Sequence, residues 1–300
     1  MIVNNEKSII LEKYNIVVSN ISTDIIKISK SIQNNKLKIF IIPGNPGIAE
    51  YYIEFAKCMA DEINIDSDIY IISYAGFSLK KNRHYALLEE LQHKKDVILY
   101  LTGDEQNTEI IIIGHSIGGW ITKEIQRSEL NLKIKSIYIL FPFLALNQNS
   151  RIQRILKFIL MNDKIEILKN IIIFFISNIP GIFKNKILNS ITLNMSEGAK
   201  ETTGYYFDKD NYFIKSAIFL AITELMELNS EIDIDISRIY NFYFSAQDFW
   251  SPIEHYNIIK SKFNSSRVAL YEQIPHDFCA YSDSSKNMAG ELAMSINNLD

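Results

Sequence analysis

Ser116 stands in the pentapeptide Gly114-His115-Ser116-Ile117-Gly118, and Asp248 and His276 follow it far downstream in a chain of 300 residues. A serine hydroxyl is a poor nucleophile until a histidine takes its proton, and an acid fixes the tautomer of that histidine. G-x-S-x-G is the pattern of a nucleophile elbow, a tight strand-to-helix turn that holds the hydroxyl above the sheet edge. Gly114 and Gly118 lack a Cβ, so strand and helix can approach closely there. The chemistry within reach of these residues is acyl transfer through Ser116.

The partners follow from position. Of His84, His93, His115, His255 and His276, only the last two come after Ser116 and its own turn. His276 follows the last expected strand in Q-I-P-H-D-F, where a serine–acid–histidine chain order delivers its base. His255 falls in an expected helix after Trp250-Ser251-Pro252 and reads as a solvated helix residue. His115 neighbours the serine, but the elbow turns it away; it reads as a packing or orienting residue. Asp248 follows F-Y-F-S directly and is the expected acid, 28 residues before His276. Asp277 competes by proximity alone, and a residue adjacent to the histidine reaches back to its ring with difficulty. Asp233 and Asp235 precede the strand and read as part of a solvated connection. The oxyanion hole needs two backbone N–H groups. One is that of Ile117, next to the nucleophile. The other comes from Pro43-Gly44-Asn45-Pro46-Gly47, where the prolines cannot donate and Asn45 is the best candidate. This chemistry needs no cofactor and no metal, and none is expected.

The elements that must position these groups are legible as a strand–helix alternation. Ile110–Ile113 is a four-isoleucine run of the kind seen in strands buried on both faces. Behind the elbow, Trp120, Ile121, Ile125 and Ser128 fall at helical spacing. Other strands are expected at Lys38–Ile42, Ile69–Ser73, Ser136–Phe141, Ile239–Ser245 and Arg267–Tyr271. Two more, around Ile9–Leu11 and Ile25–Ser29, precede them. Tyr51, Tyr52, Phe55 and Met59 mark one helix face. A second helix is expected over Arg83–Leu101 with Leu87, Leu88, Leu91 and Leu99 on one side. The pattern indicates an α/β fold, a mostly parallel doubly wound sheet of the α/β-hydrolase type, in a single domain over 1–300. It breaks at about 147 and resumes at about 238, which places a mostly helical cap at 147–237.

Composition narrows the partners. Net charge is −4 and no basic stripe stands out, so nucleic acid is not expected. Cys58 and Cys279 do not make a disulfide framework and read as free thiols of a reducing compartment. The N-terminus has scattered charges and no apolar core of a signal peptide. Within the cap, residues 152–193 are strongly apolar, but the longest unbroken run, Ile171–Ile176, is far short of the roughly twenty residues a bilayer span needs. With Pro180-Gly181 as a turn and lysines 157, 164, 169, 184 and 186 around it, the segment reads as a helical hairpin. It suits either shallow insertion into a phospholipid monolayer or packing as an ordinary lid.

Several motifs together resemble the lipid droplet-associated serine hydrolase family. They are the I-P-G-N-P-G loop with its following tyrosines and Phe55, L-Q-H-K at 91–94, I-G-H-S-I-G-G at 113–119, L-F-P at 140–142, and D-x-W-x-P at 248–252. His276 follows at the family's spacing, and the similarity runs from about 36 to 282. Gly119-Trp120 replaces a commoner small-plus-tyrosine pair, and the loop after Pro142 lacks the family's usual serine-proline-asparagine-glycine flavour. The resemblance implies a triad of Ser116, Asp248 and His276, and esterase activity toward sterol esters or other neutral lipids. It also implies association with lipid droplets and the endoplasmic reticulum. Two other functions fit the residues: a non-enzymatic lipid-droplet protein that kept the fold, and a hydrolase of small soluble esters or thioesters. The sequence carries no sign of oligomeric state.

Overall fold

The computed structural model describes residues 9–30, 35–80, 83–103, 108–128, 130–147, 149–161, 174, 181–209, 212–264 and 267–299. Eight strands form one sheet: β1 (Ile10–Val18), β2 (Ile21–Ser29), β3 (Leu37–Ile42), β4 (Ser67–Ile72), β5 (Glu109–His115), β6 (Lys133–Leu140), β7 (Tyr240–Ser245) and β8 (Val268–Tyr271). Their spatial order is β1-β2-β4-β3-β5-β6-β7-β8. β1–β2 and β2–β4 are antiparallel, and every other pairing is parallel. The first two strands are longer than their apolar patterns suggest. Ser19 and Asn20, both at positive φ, make a two-residue turn that lets the strands pair along their full length.

The parallel strands are apolar on both sides because helices cover both faces. Ile110 and Ile112 point into one core, and Ile111 and Ile113 into the other. The second core is closed by α1 (Ile53–Glu62) through Phe55 and Met59, and by α9 (Ser282–Asn297) through Met288, Leu292 and Ile296. The first core is closed by α2 (Leu87–Thr102), α3 (Ile117–Arg127) and α8 (Ile253–Lys262).

In α2 the buried face differs from the expected one. Leu88 and Leu99 are exposed, and Glu90, His93 and Lys94 are buried beside Leu87, Leu91, Val97 and Ile98. Positions 87, 91, 94 and 98 form one helical stripe, so two of the four leucines fall on the other side. The charges inside are neutralised in place: Lys94 Nζ lies 3.1 Å from Glu90, and Glu90 also accepts the backbone N–H groups of Ala75 and Gly76.

Among the described residues, four helices lie between β6 and β7: α4 (Arg151–Met161), α5 (Gly181–Thr192), α6 (Glu197–Lys209) and α7 (Tyr212–Glu227). Leu220, Leu225 and Phe213 of α7 join the first core, so this helix is built into the body of the fold. The turn expected at Pro180 and the run Ile171–Ile176, apart from Phe174, lie outside the described residues.

Candidate active site

β5 ends at His115 and α3 begins at Ile117, which leaves Ser116 between them at φ 54 and ψ −122. Non-glycine residues adopt positive φ rarely and at a cost, so the neighbours must hold it. Ser116 N–H donates to Leu140 at 3.0 Å, and its own carbonyl accepts from Gly119 and Phe143. The crossing is tight enough to require Gly118, where a Cβ would lie 2.3 Å from the Ile42 carbonyl oxygen.

His276 and Asp248 arrive from two different strand ends. Asp248 sits just past β7, its side chain fully buried. One carboxylate oxygen accepts the N–H groups of Trp250 at 2.7 Å and Ser251 at 3.0 Å, which explains why the acid opens D-F-W-S-P: the turn folds onto the carboxylate. The other oxygen lies 2.6 Å from His276 Nδ1. His276 Nε2 lies 3.0 Å from Ser116 Oγ. Asp277 takes no part in this chain; its carboxylate accepts from the Tyr281 hydroxyl at 3.2 Å.

His115 is buried and doubly bonded. Its Nε2 lies 2.8 Å from the main-chain oxygen of His276, and its Nδ1 2.6 Å from the Tyr52 hydroxyl. Burial, with the neighbouring His276 adding to it, holds its pKa well below the usual histidine value, so the ring is neutral. A neutral ring that donates from Nε2 to a carbonyl accepts at Nδ1, and the Tyr52 hydroxyl is the donor there. Tyr52 in turn accepts the Gly44 N–H at 2.9 Å. His255 departs from the expected solvated position. It is 7% exposed, on the α8 face that also buries Tyr256 and Ile259. The polar stretch E-H-Y-N hides that face.

Asn45 lies in the loop after β3, pressed against the elbow. A Cβ on the preceding Gly44 would lie 2.9 Å from Ser116 Cβ. Tyr74 braces the same loop, its hydroxyl donating to the Pro43 oxygen at 2.7 Å. Ile117 is the first residue of α3, so its N–H has no partner within the helix and is available to an oxyanion. A cleft of about 590 Å³ opens above Ser116, lined by Asn45, Phe143, Glu224, Trp250 and His276 among others. Tyr52 and Glu224 are the site residues that sequence patterns do not single out. Tyr52 reads only as a helix-face aromatic, and Glu224 is a lone acid in an apolar stretch of the cap, far in sequence from Asn45. Among the described residues no three His, Cys, Asp or Glu side chains converge as a metal site.

A serine on a strained elbow, bonded to a histidine that is bonded to a buried aspartate, all above a mostly parallel sheet, defines an α/β-hydrolase. Solved structures of this fold superpose over nearly the whole chain. An esterase from Exiguobacterium antarcticum has a TM-score of 0.63 at 12% identity, covering 96% of this chain and 100% of that one. A putative lipase from Acinetobacter baumannii has a TM-score of 0.63 at 13% identity, covering 97% and 93%. Within the class, a family model described as lipid-droplet associated hydrolase matches residues 35–279, and the chain belongs to that family. Relatives named lipid droplet-associated hydrolase include one from Mus musculus, 26% identical over 90% of this chain and 87% of its own length. Another, from Dictyostelium discoideum, is 27% identical over 83% and 84%. The protein is a hydrolase.

Proposed function

We propose that the protein cleaves carboxylic esters of neutral lipids, sterol esters among them, through an acyl-enzyme on Ser116, and that it works at lipid droplets and the cytosolic face of the endoplasmic reticulum. The observation that carries this is the unbroken chain from Asp248 to His276 to Ser116, at 2.6 Å and 3.0 Å, at the floor of the cleft. His276 Nε2 takes the Ser116 proton as Oγ attacks the ester carbonyl. The resulting oxyanion meets the N–H groups of Ile117 and Asn45, each such donor being worth about 3 kcal/mol of barrier. Asp248 stabilises the imidazolium. Nε2 then protonates the leaving alcohol, and water releases the acid by the reverse sequence.

The location is supported by the names of the relatives and by the cap. Ile155 and Phe158 of α4 and Leu193 past the end of α5 are exposed apolar side chains, with Lys157 and Lys186 close by in sequence. That composition suits a phospholipid monolayer, with apolar groups inserted and lysines among the headgroups. No helix among the described residues is long and apolar enough to cross a membrane.

The test is labelling by an alkyl fluorophosphonate, with the modified residue mapped by mass spectrometry. Ser116 is expected to label, and Ser116→Ala to abolish both labelling and hydrolysis of a sterol ester presented on droplets. Folded, droplet-bound protein that does not label would sink the enzyme and leave the fold as a droplet attachment device. Labelling with turnover of soluble esters alone would point to an ordinary lid.

A further inference from the structure

The cap grips Asn45. Asn45 Nδ2 donates to the main-chain oxygen of Ala217 at 3.0 Å and to Glu224 Oε1 at 3.1 Å. Both acceptors belong to α7 and stand seven residues apart, two turns along one helix face. Both amide protons are thereby used, and Asn45 Oδ1 finds no donor among the described residues, so α7 alone holds the amide. The same residue is seated on the elbow through Gly44. Any shift of Asn45 along α7 therefore changes its distance from Ser116.

We propose that Glu224 is a positioning residue for the oxyanion hole: from the cap, its carboxyl fixes the Asn45 side chain and so aims the Asn45 N–H at the oxygen of the attacked carbonyl. The inference rests on the serine-hydrolase reading of the site. It assigns α7 a part in the chemistry, beyond covering the cleft.

The surroundings of Glu224 set the form in which it acts. It is 5% exposed and lines the cleft with Ser116 and His276. Asn45 faces it from the loop after β3, and Tyr74 bears on it from the loop after β4. Behind Tyr74 stands the Lys94–Glu90 pair, already neutralised. Glu272 and Asp277 line the cleft as well, Lys215 and Glu227 lie on the same helix, and no lysine or arginine lines the cleft among the described residues. Burial pushes the carboxyl up to about 8. At neutral pH Glu224 is mainly the uncharged acid, an acceptor for Asn45 that puts no negative charge beside a developing oxyanion. Ionisation at higher pH places that charge on the oxyanion side of the nucleophile, and acylation slows.

The experiment measures fluorophosphonate inactivation rates and p-nitrophenyl butyrate kinetics from pH about 6 to about 10 for wild type, Glu224→Gln and Glu224→Leu. In wild type the inactivation rate is expected to fall on the order of tenfold above pH about 8. Glu224→Gln, which keeps an acceptor and cannot ionise, should stay within about threefold of wild type at pH 7 and lose the alkaline fall. Glu224→Leu should lower kcat about tenfold with KM nearly unchanged, because a group acting on the transition state is lost. An alkaline limb identical in wild type and Glu224→Gln, or wild-type kcat in Glu224→Leu, overturns the inference and leaves the labelled serine standing. No labelling of folded wild type at any pH overturns the serine-hydrolase reading, and this inference with it. Should the leucine variant fail to fold, the glutamine profile decides alone.

Discussion

His115 Nε2 lies 2.8 Å from the main-chain oxygen of His276, so the residue before Ser116 anchors the backbone of the proposed base. The chain of hydrogen bonds continues through Tyr52 to the Gly44 N–H, beside the expected oxyanion donor. The proposed nucleophile, base and oxyanion loop thus share one network centred on buried His115. His115→Leu removes its polar centre at similar volume. We expect kcat to fall about tenfold or more with KM little changed, since the loss is one of alignment in the transition state. Steady-state kinetics on a soluble ester, with far-UV circular dichroism as a fold control, measure this. Unchanged kcat would reduce the network to packing.

Asp248→Asn leaves the fold nearly untouched and removes the chemistry. The substituted side chain can still accept the Trp250 and Ser251 N–H groups through its oxygen. Its NH₂ then faces His276 Nδ1 and favours the tautomer protonated at Nε2. That tautomer cannot take the Ser116 proton. A loss of kcat of about 10³-fold or more is expected, with unfolding midpoints close to wild type. Retention of kcat would assign the acid elsewhere, with Asp277 the next residue to substitute.

The parts of this site that could be read from sequence are those fixed by local pattern. An isoleucine run before G-H-S-I-G can only be a buried strand meeting a tight turn, and the order of strands then places Asp248 and His276 at neighbouring ends. What escaped reading depends on contacts between distant elements. Leu88 and Leu99 look like core and are exposed. Lys94 looks solvated and is buried, because Glu90, Tyr74 and two backbone N–H groups from the loop after β4 converge on one place. His255 escaped for the same reason: a polar neighbourhood in sequence became a buried face once the sheet was assembled. Glu224 escaped because it is a lone acid in an apolar helical stretch, A-I-F-L-A-I-T-E-L-M, whose partner Asn45 is far away in sequence. L-Q-H-K at 91–94 is visible as a family signature, yet the structure gives its reason. Lys94 sits over the Tyr74 ring at 4.5 Å, and Tyr74 braces the loop that carries Asn45.

His93 makes stability depend on acid. It is 1% exposed, and neither ring nitrogen has a hydrogen-bond partner among the described residues. Burial lowers its pKa to about 2, with the Lys94 charge adding to the effect. The folded state therefore resists a proton that the unfolded chain binds near pH 6.5. Its contribution is present above pH about 6.5 and is lost as pH falls, on the order of 1 kcal/mol per pH unit. His115, shifted the same way, steepens the loss. Urea unfolding at pH about 7.5 and about 5 should show a smaller acid loss in His93→Leu than in wild type. Equal losses in the two proteins would place the acid sensitivity elsewhere.

The outer face of α4 should govern attachment to lipid without touching the chemical step on a soluble ester. Gln153 fixes which side faces in: it is 2% exposed and donates to the Phe249 oxygen at 3.2 Å, joining the helix to the turn that holds Asp248. Ile155 and Phe158 lie on the other side and are 56% and 65% exposed. Burying such a side chain in acyl chains is worth about 1.5–3 kcal/mol, so two together account for at least on the order of 10² in partitioning. In Ile155→Asp/Phe158→Asp both groups become charges, which neither insert nor disturb the inner face. Flotation with triolein droplets coated in phosphatidylcholine should fall on the order of 10²-fold, while kcat/KM on a soluble ester stays within about twofold. Hydrolysis of droplet-borne sterol ester should fall with flotation, because substrate delivery is what the variant loses. Undiminished flotation would place the lipid contact elsewhere on the molecule; a parallel loss on the soluble ester would mean that the substitutions had reached the Asp248 turn through Gln153.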